Sequence, residues 1–309
     1  MTTISIDLGG SRVKMAAIGN GRILEKATVP SHSDVGLVRL LPQLEPIISA
    51  WKTKYGASGI GIAFPSLVNP ERKEVICASG KFNDYKQVNF QNWAREKFGL
   101  PMVLENDANA AAIGEHAFGA AKGCDNFVLM ILGTGIGAAA MMNGRLIRGK
   151  HFQAGVLMGH IPLKVHGRKC AACGSGEGCA EAQASTWALS RMIRDSNIES
   201  SLKQEEIVNF EVLQRYYEQG DRLAHAVFEE CCEYWSNLLI AMTCAYDPER
   251  IVVSGGVLKW GDELTEKLKS MVYRRAWTPW GKPKFSVAKD PEASVLLGLY
   301  ALCLTNLSK

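Results

Sequence analysis

Cys170, Cys173 and Cys179 fall within ten residues of one another, and His160 stands ten residues before the first of them. One imidazole and three thiolates make a complete tetrahedral zinc set with no position left for water. The cluster therefore predicts a structural rather than a catalytic metal site. The competing reading is three reduced thiols in a glycine-rich loop, and local clustering beside a histidine favours the metal. A zinc-bound His160 keeps a second ring nitrogen that can donate to a ligand. Glu181, two residues beyond Cys179, would be carried to the same place.

Two further stretches have the composition of anion cradles: Asp7-Leu8-Gly9-Gly10-Ser11 and Gly133-Thr134-Gly135-Ile136-Gly137. Glycine lets backbone N–H groups approach phosphate oxygens with no Cβ in the way. Either loop alone could be a tight turn. Two loops at the same place in two copies of one unit argue for phosphate. Gly133-x-Gly135-x-x-Ala138 fits a relaxed dinucleotide fingerprint, but that motif opens a helix and is followed by an acid for the ribose. Here a strand follows, and no Asp or Glu occurs from Asn126 through Gly176, so the fingerprint is rejected. Gly144-x4-Gly149-Lys150-His151 has P-loop spacing, with His151 where a Ser or Thr should hold Mg²⁺. The acid-free stretch carries Arg145, Arg148, Lys150, Lys164, Arg168 and Lys169, which fits either a nearby anion or a solvated basic face.

Glu105-Asn106-Asp107-Ala108-Asn109 follows a strand and opens a helix. Asp107 reads first as a helix N-cap, a usual place for Asp. At a strand–helix junction facing a cleft it could instead take a proton from a substrate hydroxyl, with Asn106 holding a neighbouring hydroxyl.

These residues need elements to position them. Apolar runs at Thr3–Leu8, Lys14–Gly19 and Arg22–Thr28, with Asn20-Gly21 between the last two, predict a β-meander. Leu40, Leu41, Leu44, Ile47, Ile48 and Trp51 recur at helical spacing over 37–55. Strands are expected at 59–64 and 101–104, and helices at 89–98 and 108–118. The pattern then restarts: strand 127–132, a glycine loop, strand 138–142, the turn Asn143-Gly144 and strand 145–147. Two copies of one supersecondary unit predict a duplicated, two-lobed α/β architecture with a cleft. Helices at 186–195, 209–219, 222–245 and 262–272, a strand at 251–254 and a final helix at 294–304 complete the reading. The lobes are expected at 1–118 and 119–292, with the last helix within 293–309.

The chain has 309 residues, enough for two domains. Its hydrophobic fraction of 47% supports a packed core, and its net charge of +4 is too small to argue for nucleic acid. Nine cysteines are an odd number and are mostly scattered, which fits a reducing compartment rather than a disulfide scaffold. No targeting signal or membrane span is visible, so a cytoplasmic protein is expected.

Taken together, the residues resemble the ROK family (repressor, open reading frame, kinase) of the actin/hexokinase-like ATPase fold, from Ser5 to about Leu304. Asp7-x-Gly9-Gly10-Ser11 is similar to the family's first phosphate loop and Gly133 to Gly137 to its second. Glu105 to Asn109 matches its catalytic segment. Gly159-His160 with Gly178-Cys179-Ala180-Glu181 matches its zinc signature. Asp247-Pro248 through Gly255-Gly256-Val257 resembles the strand and loop on the adenosine side, and Ser294 to Gly298 the returning helix. The resemblance implies an ATP-dependent kinase for a hexose or hexose derivative, acting at the C6 hydroxyl. Asp107 is the implied base, with Asn106, His160 and Glu181 as sugar contacts. Gly9, Gly10, Ser11, Gly133, Thr134, Gly135, Gly137, Gly255 and Gly256 are the implied phosphate and nucleotide contacts. Asp7 is implied to hold hydrated Mg²⁺, and a structural Zn²⁺ and a homodimer are implied as well.

Three departures mark this chain. The zinc loop usually reads Cys-x-Cys-Gly-x-x-Gly-Cys, and here each gap is one residue longer. A glutamate usual three residues before the zinc histidine is Leu157, which should disfavour a ring hydroxyl there. A sugar-contacting Asn near Lys81-Phe82 is missing from its usual place, with Asn83 close by. The family also contains repressors with an N-terminal helix-turn-helix domain. The first strand begins at Thr3, which leaves no room for one, so a sugar sensor without DNA binding is the alternative function.

Overall fold

The computed structural model describes residues 1–78, 80–174 and 176–307. The chain divides into two compact units. The first comprises Met1–Asp125, Arg145–Val156 and Ala288–Lys309, and the second Asn126–Gly144 and Leu157–Val287.

The first unit opens with the meander β1 (Thr2–Leu8), β2 (Arg12–Gly19) and β3 (Arg22–Pro30). The turn between β2 and β3 places Asn20 at φ +52° and Gly21 at φ +70°, the left-handed pair that an Asn-Gly hairpin needs. Helix α1 (Leu37–Tyr55) then leads to β4 (Ile60–Phe64). The apolar spacing carries α1 through Pro42 and Pro46, because Leu37, Leu40, Leu41, Leu44, Ile48 and Trp51 all bury on one face. Two short strands, β5 (Val68–Asn69) and β6 (Glu74–Val75), form a small hairpin. Helix α2 (Phe90–Phe98), strand β7 (Met102–Asn106) and helix α3 (Asp107–Phe118) follow. The sheet order is β3-β2-β1-β4-β7, with β1, β4 and β7 parallel. Every residue of β4 and β7 is buried, as expected of parallel strands covered on both faces.

Ile4, Ile6, Leu8, Ile60, Ile62, Phe64, Met102 and Leu104 pack on one face against α1 and α2. The other face takes α3 and the last helix, α9 (Pro291–Leu307), whose Leu296 and Tyr300 cover Ala16 and Ile18. Close approach of α3 and α9 depends on two glycines. A Cβ at Gly298 would overlap the Ala110 carbonyl oxygen, and one at Gly114 would overlap that of Ser294.

The second unit repeats the scheme. Strands β8 (Phe127–Leu132) and β9 (Ile136–Met142) are antiparallel, and the turn beyond them puts Asn143 at φ +52° and Gly144 at φ +68°. This turn leads into β10 (Arg145–Leu146). The helices are α4 (Ala180–Ala184), α5 (Thr186–Arg194), α6 (Phe210–Glu218), α7 (Arg222–Tyr246) and α8 (Asp262–Arg275). Strands β11 (Arg250–Ser254) and β12 (Lys284–Val287) extend the sheet in the order β9-β8-β11-β12, with β8, β11 and β12 parallel. That order matches β2-β1-β4-β7 strand for strand, so the duplication predicted from two similar runs is present in the topology. Among the described residues, no helix is long and apolar enough to cross a membrane.

Candidate functional site

In the first unit, the carboxyl ends of β1 and β7 bring together Asp7, Gly9, Gly10, Asn106 and Asp107. Ends of parallel strands are where open α/β sheets receive ligands. Gly9 is required locally, because a Cβ there would lie 2.5 Å from the Arg12 carbonyl oxygen. Ser11 is exposed at the tip of the same loop.

Strand β7 continues two residues beyond the predicted end, and the helix cap falls on Asn106. Its Oδ1 accepts from the Asn109 N–H at 3.1 Å. Asp107 is the first helical residue and is therefore spared the capping role. Its Oδ1 accepts from the Ala108 N–H at 2.8 Å and from Asn106 Nδ2 at 3.0 Å. Asn106 Nδ2 also donates to the Ser66 carbonyl at 3.1 Å, which fixes the amide orientation.

Asp7 and Asp107 are each partly buried, and each raises the cost of charging the region. Burial pushes Asp7 from the ordinary 3.8 up to about 7, the Asp107 carboxylate adds to this, and Lys14 and Lys81 oppose it. Burial likewise raises Asp107, with Lys81 and the two hydrogen bonds pulling the other way. Two carboxylates with raised proton affinity fit a site that receives a cation.

A stability consequence follows from Asp7. Well below pH 4 its carboxyl is protonated in both states and costs nothing. Between the unfolded value and about 7 only the folded chain holds the proton, so stability falls as pH rises. Asp7→Asn is expected to raise the thermal midpoint at about pH 8 by a few degrees, with a much smaller gain near pH 4.5. Equal gains at both pH values would rule out the charge as the source.

Behind Asn106 lies Glu105, 1% exposed. Arg148 grips it with both guanidinium nitrogens, Nη2 to Oε2 at 2.6 Å and Nη1 to Oε1 at 3.1 Å. Oε1 also accepts from the Asn106 N–H at 3.0 Å and Asn109 Nδ2 at 3.1 Å. Arg148 was one of the basic residues in the acid-free stretch. Its partner is this buried carboxylate, and Arg168 similarly pairs with Glu230. The sequence offered no local signal for either, since the partners are 43 and 62 residues apart.

In the second unit, the glycine loop leads straight into β9, so Ile136 and Gly137 are already strand residues. Glu181, on the first turn of α4, lies against this loop: its Oε2 accepts from the Ile136 N–H at 2.9 Å. A Cβ at Gly135 would come within 2.6 Å of that oxygen. Thr186 Oγ1 donates to the Gly133 carbonyl at 2.9 Å, a tie the sequence reading missed. Thr134 is exposed. Gly255 (φ +106°) ends β11 against the Leu132 backbone, where a Cβ would overlap the carbonyl oxygen; Gly256 beside it is exposed.

The predicted metal ligands converge. The donor atoms of His160, Cys170, Cys173 and Cys179 all lie within 4.8 Å of one another. Cys170 Sγ is 3.7 Å from His160 Nδ1, so the facing nitrogen is Nδ1. Gly159 lets this histidine approach β9, since a Cβ there would overlap the Ile136 carbonyl oxygen. Gly176 closes the sulfur cradle: its N–H donates to Cys173 Sγ at 3.3 Å, and a Cβ would lie 2.6 Å from Cys179 Sγ. Burial pushes the Cys179 thiol up to about 12, and the neighbouring Cys170 and Cys173 add to it. Crowded sulfurs that resist ionising alone fit a divalent cation that would stabilise all three thiolates. The lengthened gaps therefore still bring the four donors together.

Leu157 lies in the single-turn segment Val156–His160, with φ −87° and ψ 17°. Asn83 is exposed.

The ROK family model matches residues 3–306. The chain belongs to the ROK family. A glucokinase of Thermotoga maritima is 29% identical over 277 residues, covering 87% of this chain and 86% of its own. The chain is similar to the crystal structure of a ROK hexokinase from Thermus thermophilus, with TM-score 0.81, 29% identity and full coverage of both chains. A ROK family glucokinase from Streptomyces griseus, in complex with glucose and AMPPNP, gives TM-score 0.84 at 25% identity, covering 99% and 100%. Its fold is accordingly the actin/hexokinase-like ATPase fold.

Proposed function

We propose that this ROK protein phosphorylates a hexose or hexose derivative at its C6 hydroxyl, with ATP as donor and Asp107 as general base. The chain is a carbohydrate kinase, as its kinase relatives over nearly the whole length support. The observation carrying the finer reading is that Asn106 caps α3 and leaves the adjacent Asp107 carboxylate available beside Asp7. Asp107 accepts the hydroxyl proton as the sugar oxygen bonds to the terminal phosphorus and the bond to ADP breaks. Such a base contributes about 10²–10⁴-fold. Asn106, held by Ser66, orients a neighbouring hydroxyl. His160 and Glu181 are assigned to the sugar as well, and His160 can use the nitrogen turned away from Cys170.

Backbone groups of Gly9, Gly10, Gly133, Gly135 and Gly137, with Ser11 and Thr134, bind phosphate oxygens, and Gly255 and Gly256 bind the nucleoside side. Asp7 would hold hydrated Mg²⁺, which supplies charge neutralisation to the phosphates when bound. His160, Cys170, Cys173 and Cys179 would hold Zn²⁺, which braces the loop carrying Glu181. Elemental analysis after chelator-free purification should return about one zinc per chain, as a closed four-donor set requires. Finding no zinc would overturn the metal reading. A homodimer carries over from the resemblance, and light scattering tests it.

The function is tested by incubating the protein with ATP, Mg²⁺ and glucose, mannose, allose, their amino and N-acetyl forms, and controls blocked at C6. ADP release with one or more free sugars, and none with its C6-blocked form, is expected. Turnover of a blocked sugar would remove the C6 assignment. Leu157, apolar where the family usually has a sugar-binding glutamate, favours a second reading as a weakly catalytic sugar sensor. That reading expects saturable sugar binding by calorimetry with no ADP released.

A further inference from the structure

The segment between β6 and α2 carries a cation that the mechanism above does not use. Phe82 is fully buried and sits at φ +53°, a conformation that side chains rarely adopt. It is held there by its N–H, which donates to the Ser33 carbonyl at 2.8 Å, and by its ring, 5.8 Å from that of Phe64. Two residues later, the Asp84 carboxylate accepts the Leu37 and Val38 N–H groups at 2.8 and 2.9 Å, in the first turn of α1. Gly36 makes room for that carboxylate, which a Cβ would overlap. The segment is thus fixed just after Lys81 by a buried ring and by a helix-end contact.

Lys81 is aimed by this anchoring. Its Cδ, Cε and Nζ lie 3.2, 2.8 and 3.1 Å from the position a Cβ of Gly10 would take. The lysine side chain therefore lies across the glycine loop, in van der Waals range of the place a side chain at position 10 would take. Its charge acts on both Asp7 and Asp107. Among the described residues no carboxylate forms an ion pair with it. An ammonium lying over the glycine loop, on an anchored stretch of backbone and within electrostatic range of Asp7 and Asp107, stands where the kinase reading puts a transferring phosphoryl group. Phosphoryl transfer spreads negative charge over the three equatorial oxygens, and fixed positive charge there stabilises the transition state. Lysine suits this task as a compact point charge for phosphate.

We propose that Lys81 is a catalytic residue that binds the terminal phosphate of the nucleotide over Gly10 and stays with that phosphoryl group as it passes to the sugar oxygen. The inference rests on the kinase reading for the identity of the anion. The sequence pattern had flagged this place only for a missing asparagine. Exposed Asn83 offers no matching contact with the loop.

The test has two arms. In the first, calorimetry without sugar compares a Mg²⁺ complex of a non-hydrolysable ATP analogue with that of ADP. Lys81→Met is expected to weaken the triphosphate analogue about tenfold while leaving ADP within about twofold. Lys81→Arg should keep most of the discrimination. Lys86→Met removes an exposed charge nearby and should change neither affinity. Equal losses for both nucleotides, or none, overturn the proposal. In the second arm, on the best sugar of the panel, Lys81→Met lowers kcat by about 10²–10³-fold with sugar KM nearly unchanged. A raised sugar KM with unchanged kcat, or a sugar acid bound more tightly than its neutral parent through Lys81, overturns it in favour of a sugar contact. Thermal melts confirm that each variant is folded. A wild type that discriminates the two nucleotides but turns over no sugar would defeat the sugar-kinase reading and leave Lys81 standing. A wild type that turns over sugar, with Lys81→Met equally active, would defeat Lys81 alone.

Discussion

Asp107→Asn lowers turnover on the best sugar by about 10²–10⁴-fold and leaves the protein at least as stable as wild type. The two halves of this result have one structural cause. Helix α3 is capped by Asn106, so the substitution removes no cap. An asparagine retains an Oδ1 for the Ala108 N–H and the Asn106 amide, so the local hydrogen bonds persist. What is lost is a proton acceptor and a partly buried charge. Burial raises the Asp107 pKa, so a neutral amide removes an unfavourable charge as well as its repulsion with Asp7. Were Asp107 only a structural residue, turnover would hold at the wild-type level. Rate and melting temperature measured on the same preparation separate the two. The wild-type pH profile is expected to carry the same sign: the proposed base works deprotonated, so kcat/KM rises with pH about a midpoint that burial moves up from the ordinary aspartate value.

The largest stability effect is expected at Arg148. Arg148→Met leaves the Glu105 carboxylate, 1% exposed, with a backbone N–H and one amide in place of a bidentate guanidinium. Stranding a buried charge in this way costs about 3–5 kcal/mol. Glu105→Gln combined with Arg148→Met removes the charge together with its partner and should recover much of that loss. Chemical denaturation of the single and double variants measures both. If the single variant unfolds at the wild-type denaturant concentration, the pair carries no net stability. Because Glu105 also accepts the Asn106 N–H, the single variant should loosen the residues on either side of that peptide as well.

The elements that sequence revealed best are those whose signal is local. Six apolar residues at helical spacing announced α1, strongly enough to override two prolines. The two Asn-Gly pairs announced turns, and both take the left-handed angles that such pairs favour. The histidine–cysteine cluster was legible because three cysteines sit close together and only His160 had to be brought in. Strand β12 gave no comparable sign: Lys284–Val287 is short and mostly exposed or half-buried, and parallel pairing with β11 defines it. At the candidate site, sequence read Asp107 first as the helix cap, and the structure gives that role to Asn106. One residue of strand length decides between the two, and tertiary pairing with β4 sets it. Arg148 and Lys81 gave no sign in the sequence of what they touch, for a different reason. Their meaning depends on partners far along the chain, and a lone basic residue reads equally well as surface.

The glycine-mediated crossing of α3 and α9 also bears on how the protein is made. The first unit needs residues 291–307 to cover its sheet, yet the whole second unit is synthesised before they emerge. At about 5–20 residues per second, roughly ten to forty seconds separate the completion of α3 from that of α9. During that interval Gly61, Gly114 and the face bearing Ala16 and Ile18 lack their native cover. The nascent chain therefore presents an open apolar groove shaped for a helix, and this is the period in which a chaperone has most to protect.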